Sequence, residues 1–96
     1  MRDVQLGQLV YSIAGRDKGQ LYVVLNIMEQ EARVLLANGK SRKVDNPKLK
    51  NVKHLKKTNI INESIKKKLE RGKKPSDTDI KTFIEESVQS LEGKLA

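Results

Sequence analysis

Residues Leu9 to Val24 read LVYSIAGRDKGQLYVV: two apolar, strand-like runs joined by the turn Gly15-Arg16-Asp17-Lys18-Gly19, with cations at its tip. Gly15 and Gly19 bracket this turn as residues that reach φ > 0 without steric penalty. In the first run, Gln8 to Ile13, alternation puts Leu9, Tyr11 and Ile13 on one face and Val10 on the other, as a strand requires. The second run, Leu21 to Ile27, is β-branched and aromatic enough to be a buried strand.

Working outward, the polar Glu29-Gln30-Glu31 marks a turn and Arg33 to Ala37 a third strand. Asn38-Gly39 is a strong hairpin signal and predicts a short fourth strand over Ser41 to Val44. Asn46-Pro47 breaks that run, and Asn51 to Leu55 is expected to close the sheet, with Val52 as its main apolar contribution. Five short strands in about 55 residues imply a small barrel.

The rest reads as helical. Asn62 caps a helix running to Arg71, with Ile61, Ile65 and Leu69 on one face, Lys66, Lys67 and Lys68 largely off it, and Gly72 as its stop. Lys73-Lys74-Pro75 is a linker. A second helix begins at Ser76, with Asp79 in the position of a capping-box acid. Its stripe of Ile80, Phe83, Ile84, Val88, Leu91 and Leu95 needs a surface to cover, either the chain's own barrel or first helix, or a partner. The expected organisation is a mostly β chain: a barrel over 1–58, a basic helix and linker over 59–75, and an amphipathic acidic helix over 76–96.

Composition narrows the function. The chain has 96 residues, 36% hydrophobic and 33% charged, with only Tyr11, Tyr22 and Phe83 as aromatics. A single domain of this size buries only about 60% of its unfolded surface. Cysteine is absent, which excludes disulfides and thiolate metal sites, fits a reducing cytoplasm, and leaves His54 as the one imidazole. The longest apolar run, Leu21 to Leu25, is far below the roughly 18 residues of a membrane span, and Asp3 and Gln5 argue against a signal peptide. No nucleophile, phosphate loop or metal cluster surrounds the acids Asp3, Asp17, Glu29 and Glu31, so neither an enzyme nor a small-molecule substrate or cofactor is expected.

Charge is segregated along the chain. Residues 1–36 carry four cations and four anions, residues 37–75 fourteen against three, and residues 76–96 two against five, within a total of +8. So basic a middle block points to a polyanionic partner, or else to a solubilising lysine face. The acidic segment reads as solvent-facing carboxylates on a packed helix, or as a cover that folds over the basic surface.

Gly7 to Thr58, through GQLVYSIAGRDKGQLYVVLNI, ARVLLANGKSRKV and NVKHLKKT, resembles the KOW-type SH3-like barrels of archaeal and eukaryotic large-subunit ribosomal proteins and their short bacterial relatives, the KOW-domain RNA-binding proteins. Where the ribosomal members usually have Gly-Pro after the third strand, this chain has Ala37-Asn38-Gly39. The resemblance spans roughly half the chain and implies RNA binding, with ribosomal RNA of the large subunit as the expected partner and neighbouring ribosomal proteins possible contacts of the last helix. KOW-type barrels also resemble modules of transcription elongation factors, which leaves a protein-interaction role as the alternative.

The residues support the RNA reading without the family. Arg16 and Lys18 occupy the loop tip, where backbone N–H groups near Gly15 and Gly19 can approach a phosphate. Arg16 can grip phosphate bidentately, unless Asp17 pairs with it locally. Lys40, Arg42 and Lys43 flank the second hairpin beside Gly39, and Lys48, Lys50, Lys53, Lys56 and Lys57 follow it. His54, between Lys53 and Leu55, either packs at the rim or touches RNA. Lys66, Lys67, Lys73 and Lys74 extend the basic surface along the helix and linker. With Tyr11 and Tyr22 as the only aromatics near the strands, and both candidates for the core, recognition of RNA backbone and shape is expected over base reading.

Overall fold

Three strands and both helices fall where local sequence signals put them in the computed structural model, which describes residues 4–95, with side chains to Ser90. The strands are β1 (Gln8–Ser12), β2 (Leu21–Met28), β3 (Arg33–Ala37), β4 (Lys48–Asn51) and β5 (Leu55–Ile61), followed by α1 (Glu63–Glu70) and α2 (Asp77–Leu95). They form one antiparallel sheet in the order β4-β3-β2-β1-β5, so among the described residues β4 and β5 each have one edge with no strand neighbour. The sheet is not closed.

The fourth and fifth strands differ from expectation. Ser41 to Val44 is not a strand, because Asn38 and the second helix take its backbone donors. Asn38 Oδ1 accepts from the amides of Lys40 and Arg42, each at 2.9 Å, and Val44 N donates to Asp77 Oδ1 at 2.8 Å. Pairing resumes only after Pro47, with Lys50 opposite Val34 and Lys48 opposite Leu36. Within Asn51 to Leu55, Val52–His54 is a single 3-10 turn capped by Asn51, whose Oδ1 accepts from Lys53 N at 3.0 Å. The closing strand therefore starts at Leu55 and continues to Ile61, past the boundary expected at residue 58.

Strand alternation loads both faces of the sheet with apolar side chains. Leu9, Val23 and Ala37 face one way and pack with Val44, Ile65 of α1, and Ile80 and Phe83 of α2. Val10, Tyr22, Val24, Val34 and Leu36 face the other way and pack with Val52, with Val4, Leu6, Ile27 and Leu55 around them. Leu9 and Val10, adjacent in sequence, are both fully buried. Each such side chain contributes about 1.5–3 kcal/mol when removed from water. On the face of Leu9, cover fades along β1: Tyr11 is half-buried and Ile13 is 43% exposed.

The helices dock through their first turns. Asn62 caps α1 by accepting from Ile65 N at 2.9 Å, and Ser76 and Asp79 exchange the two bonds of a capping box at 3.0 and 3.2 Å. Two glycines permit the close approach. A Cβ on Gly7 would lie 2.9 Å from the Asn62 carbonyl oxygen, and one on Gly39 would lie 2.5 Å from that of Asp77, while both residues have positive φ. The α2 stripe covers its own sheet through Ile80 and Phe83, whereas the side chains expected to extend it, Leu91 and Leu95, lie outside the described ones.

Candidate nucleic-acid interface

The glycine-bracketed turn is held by Asp17, which the sequence offers only as a local partner for Arg16. Gly19 N donates to the Ser12 carbonyl at 2.7 Å and Ser12 N to that of Gln20 at 3.0 Å, closing the loop between β1 and β2. Gly15 and Gly19 have φ of +88° and +91°. Inside, Asp17 is only 8% exposed. Its Oδ1 accepts from Lys50 Nζ at 2.6 Å and lies 2.9 Å from Ser12 Oγ, which shares its proton with the Ala14 carbonyl. Its Oδ2 accepts from Tyr22 OH at 2.8 Å and pairs with Lys48 Nζ at 3.3 Å. Lys50 also donates to the Ala14 carbonyl at 3.0 Å.

Burial pushes the Asp17 carboxyl up, but the hydrogen bonds from Lys50, Tyr22, Ser12 and Lys48 outweigh it and hold the group well below the usual carboxylate range. Tyr22 is pushed up to about 12, first by burial and then by the hydrogen bond to Asp17 and its charge, against the opposing charge of Arg42. Asp17 therefore does not pair with Arg16. Turned inward, it leaves Arg16 and Lys18 exposed at a tip that carries no surface carboxylate. Lys48 and Lys50, expected as free phosphate ligands, are instead engaged with Asp17, and the Lys50 side chain is 9% exposed.

Beyond this cage lie two clefts, each of about 470 Å³, that share Lys53. One runs along the open edge of β4 between Arg33, Lys48, Leu49, Lys50, Asn51, Lys53 and His54. The other lies beside β5, with Val4, Val10, Val52 and Leu55 as an apolar floor and Lys53, Lys56 and Lys57 around it. Among the described residues, no carboxylate lines either cleft. The short link Val52–His54 joins the two edge strands, so the lysines of β4 and β5 meet at one end of the sheet. Arg33 belongs here because β3 register places it opposite Asn51. Its place at the start of a strand is the sequence signal for this position.

The remaining expected cations are distributed elsewhere. Lys40 lines a cleft with Lys81, Ile84 and Glu85 of α2, Arg42 is half-buried near Tyr22, and Lys43 is exposed. Lys66 donates to Gln5 Oε1 at 2.8 Å and Lys74 pairs with Asp45 at 2.6 Å, while Lys67 and Lys73 are exposed. These α1 and linker lysines belong to the helix-covered face, across the sheet from the apolar-floored cleft. One basic block in sequence thus becomes two basic surfaces. Two acids of α2 are engaged near its start: Asp77 holds Val44 N, and Asp79 pairs with Lys68 of α1 at 3.1 Å.

Among the described residues, no helix is long and apolar enough to cross a membrane. Neither protein-family models nor curated proteins yield a match to this chain.

Proposed function

We propose that this chain is an RNA-binding protein of the KOW kind, acting in the cytoplasm on structured RNA of the large ribosomal subunit through phosphate and shape contacts. The observation that carries this reading is the pair of adjoining clefts that share the exposed Lys53 and bring Arg33 and Lys56 beside it, with Lys48 and Lys50 held on Asp17 at their margin and, among the described residues, no lining carboxylate. Such a surface attracts a polyanion and releases its counterions on contact. Arg16 and Lys18 extend it at the loop tip, adjacent through Gly15, whose Cβ position lies 3.7 Å from Lys50 Nζ. The strand order, and the short link between β4 and β5, support reading the sheet as the SH3-like barrel of that family.

If about six phosphates are engaged, log affinity falls with log salt at a slope near −4 to −5. The test is a KCl titration of binding to a large-subunit RNA fragment, with cosedimentation on ribosomes. Replacing Arg16, Lys53 and Lys56 with Gln is expected to weaken binding and flatten the slope by about 2–3. A slope near zero in the parent chain overturns the reading. The open β4 edge, with Leu49 46% exposed, favours a second reading as a module that adds an extended protein segment to its sheet. Unchanged cellular partners after Arg16, Lys18, Arg42 and Lys43 are all replaced with Gln would favour it.

A further inference from the structure

The two clefts differ in chemistry. Along β4, Asn51, His54 and the paired lysines give polar walls suited to an RNA backbone. Beside β5, the floor is Val4, Val10, Val52 and Leu55, and among the described residues the polar lining groups are Lys53, Lys56 and Lys57. Val4 and Leu55, both half-buried, present the accessible apolar surface, and the fully buried Val10 and the 5% exposed Val52 form the packed layer under them, so the floor is held by the sheet core. Its volume, about 470 Å³, lies in the range of small-ligand sites.

An apolar floor within a cationic rim suits a flat, weakly polar body joined directly to anions. A nucleotide has that form. We propose that this cleft seats one unpaired nucleobase of the bound RNA, with Lys53 and Lys56 on the phosphates that flank it; the inference rests on the RNA reading above. The base must come from a bulge or loop, because bases of an A-form helix are stacked and its major groove is too narrow for side chains. Aliphatic side chains supply the contact here, which is why a scarcity of aromatics in sequence concealed it. The walls come from Val4, β1, the 3-10 turn and β5.

The full chain is titrated by fluorescence anisotropy against three matched RNA hairpins: fully paired, carrying one bulged 2-aminopurine, and carrying an abasic residue at the bulge. The bulged hairpin is expected to bind roughly tenfold more tightly than the abasic one, the scale of one modest apolar contact, with a change in 2-aminopurine emission. Leu55→Asn is expected to bring the two affinities together while the salt slope persists, and Leu55→Met to retain the preference, with thermal melts confirming that both variants fold. Equal affinity for all three hairpins with a steep salt slope overturns the base seat and leaves the RNA reading standing. Failure to bind any hairpin overturns both. Displacement of bound RNA by fatty acid or anionic vesicles, without a preference for the bulge, assigns the cleft to lipid and overturns the proposal.

Discussion

Lys50 and Lys53 stand three positions apart in one basic run, and the fold puts them to different uses. Lys50 lies on β4 opposite Val34, so strand parity sends its side chain to the face where Asp17 is buried, and it bonds there at 2.6 Å. Lys53 lies on the 3-10 turn, where that parity is interrupted, and it is exposed between two clefts. A count of cations therefore overstates the surface offered to a ligand. Asp17 redistributes charge: it withdraws Lys48 and Lys50 into an ion-pair cage and leaves the loop tip to Arg16 and Lys18.

The sharpest way to break this contrast is Asp17→Ala. It strands two lysines, a serine and a tyrosine around a vacated carboxylate site, and is expected to cost about 3 kcal/mol, as losing one partner of a buried ion pair does. Urea unfolding at neutral pH measures it; a loss below about 1 kcal/mol would mean the loop stands without the cage. A somewhat smaller effect is expected from acid. Because folding depresses the Asp17 pKa from 3.8, its contribution is complete above that value and disappears as pH falls through the lower folded value. Stability curves of the parent and Asp17→Asn should converge below pH 3.8, and parallel curves would contradict the cage. The smallest effects separate the two lysines directly. Lys50→Met is expected to lower stability by about 1–3 kcal/mol with the salt slope of RNA binding intact. Lys53→Gln should leave stability within about 0.5 kcal/mol and reduce that slope by about 0.7–0.9. Similar behaviour of the two variants would erase the distinction.

What the sequence conveyed divides along similar lines. β1, β2, β3 and both helices rest on signals that act within a few residues, namely alternation, the glycines of the turn, the Asn62 cap and the Ser76–Asp79 box, and these appear as expected. β4 and β5 were displaced because Asn38-Gly39, read as a two-residue hairpin, uses its asparagine side chain to hold Lys40 and Arg42. Asp77, far along the chain, also takes the amide of Val44. No local window contains that bond. At the site, Arg16, Lys18, Lys53, His54 and Lys56 are exposed cations or imidazole, as a basic run suggests. Asp17 was hidden by its company, since an acid between two cations looks solvated. The clue was parity: Val10 pairs with Tyr22, so Ser12 and Tyr22 share a face at the end where the loop returns.

The open edges of β4 and β5 bear on how this chain tolerates crowding. An edge strand offers its backbone to any copy that drifts alongside, which is how sheets extend into fibrils. On β5 the exposed Lys56 places charge along the edge where two copies would meet, whereas on β4 the charges of Lys48 and Lys50 are engaged with Asp17. Lys56, which draws in a polyanion, thus also acts as a gatekeeper against self-assembly. Neutralising it to weaken ligand binding carries a hazard of its own, since a chain stripped of that charge gains an adhesive rim.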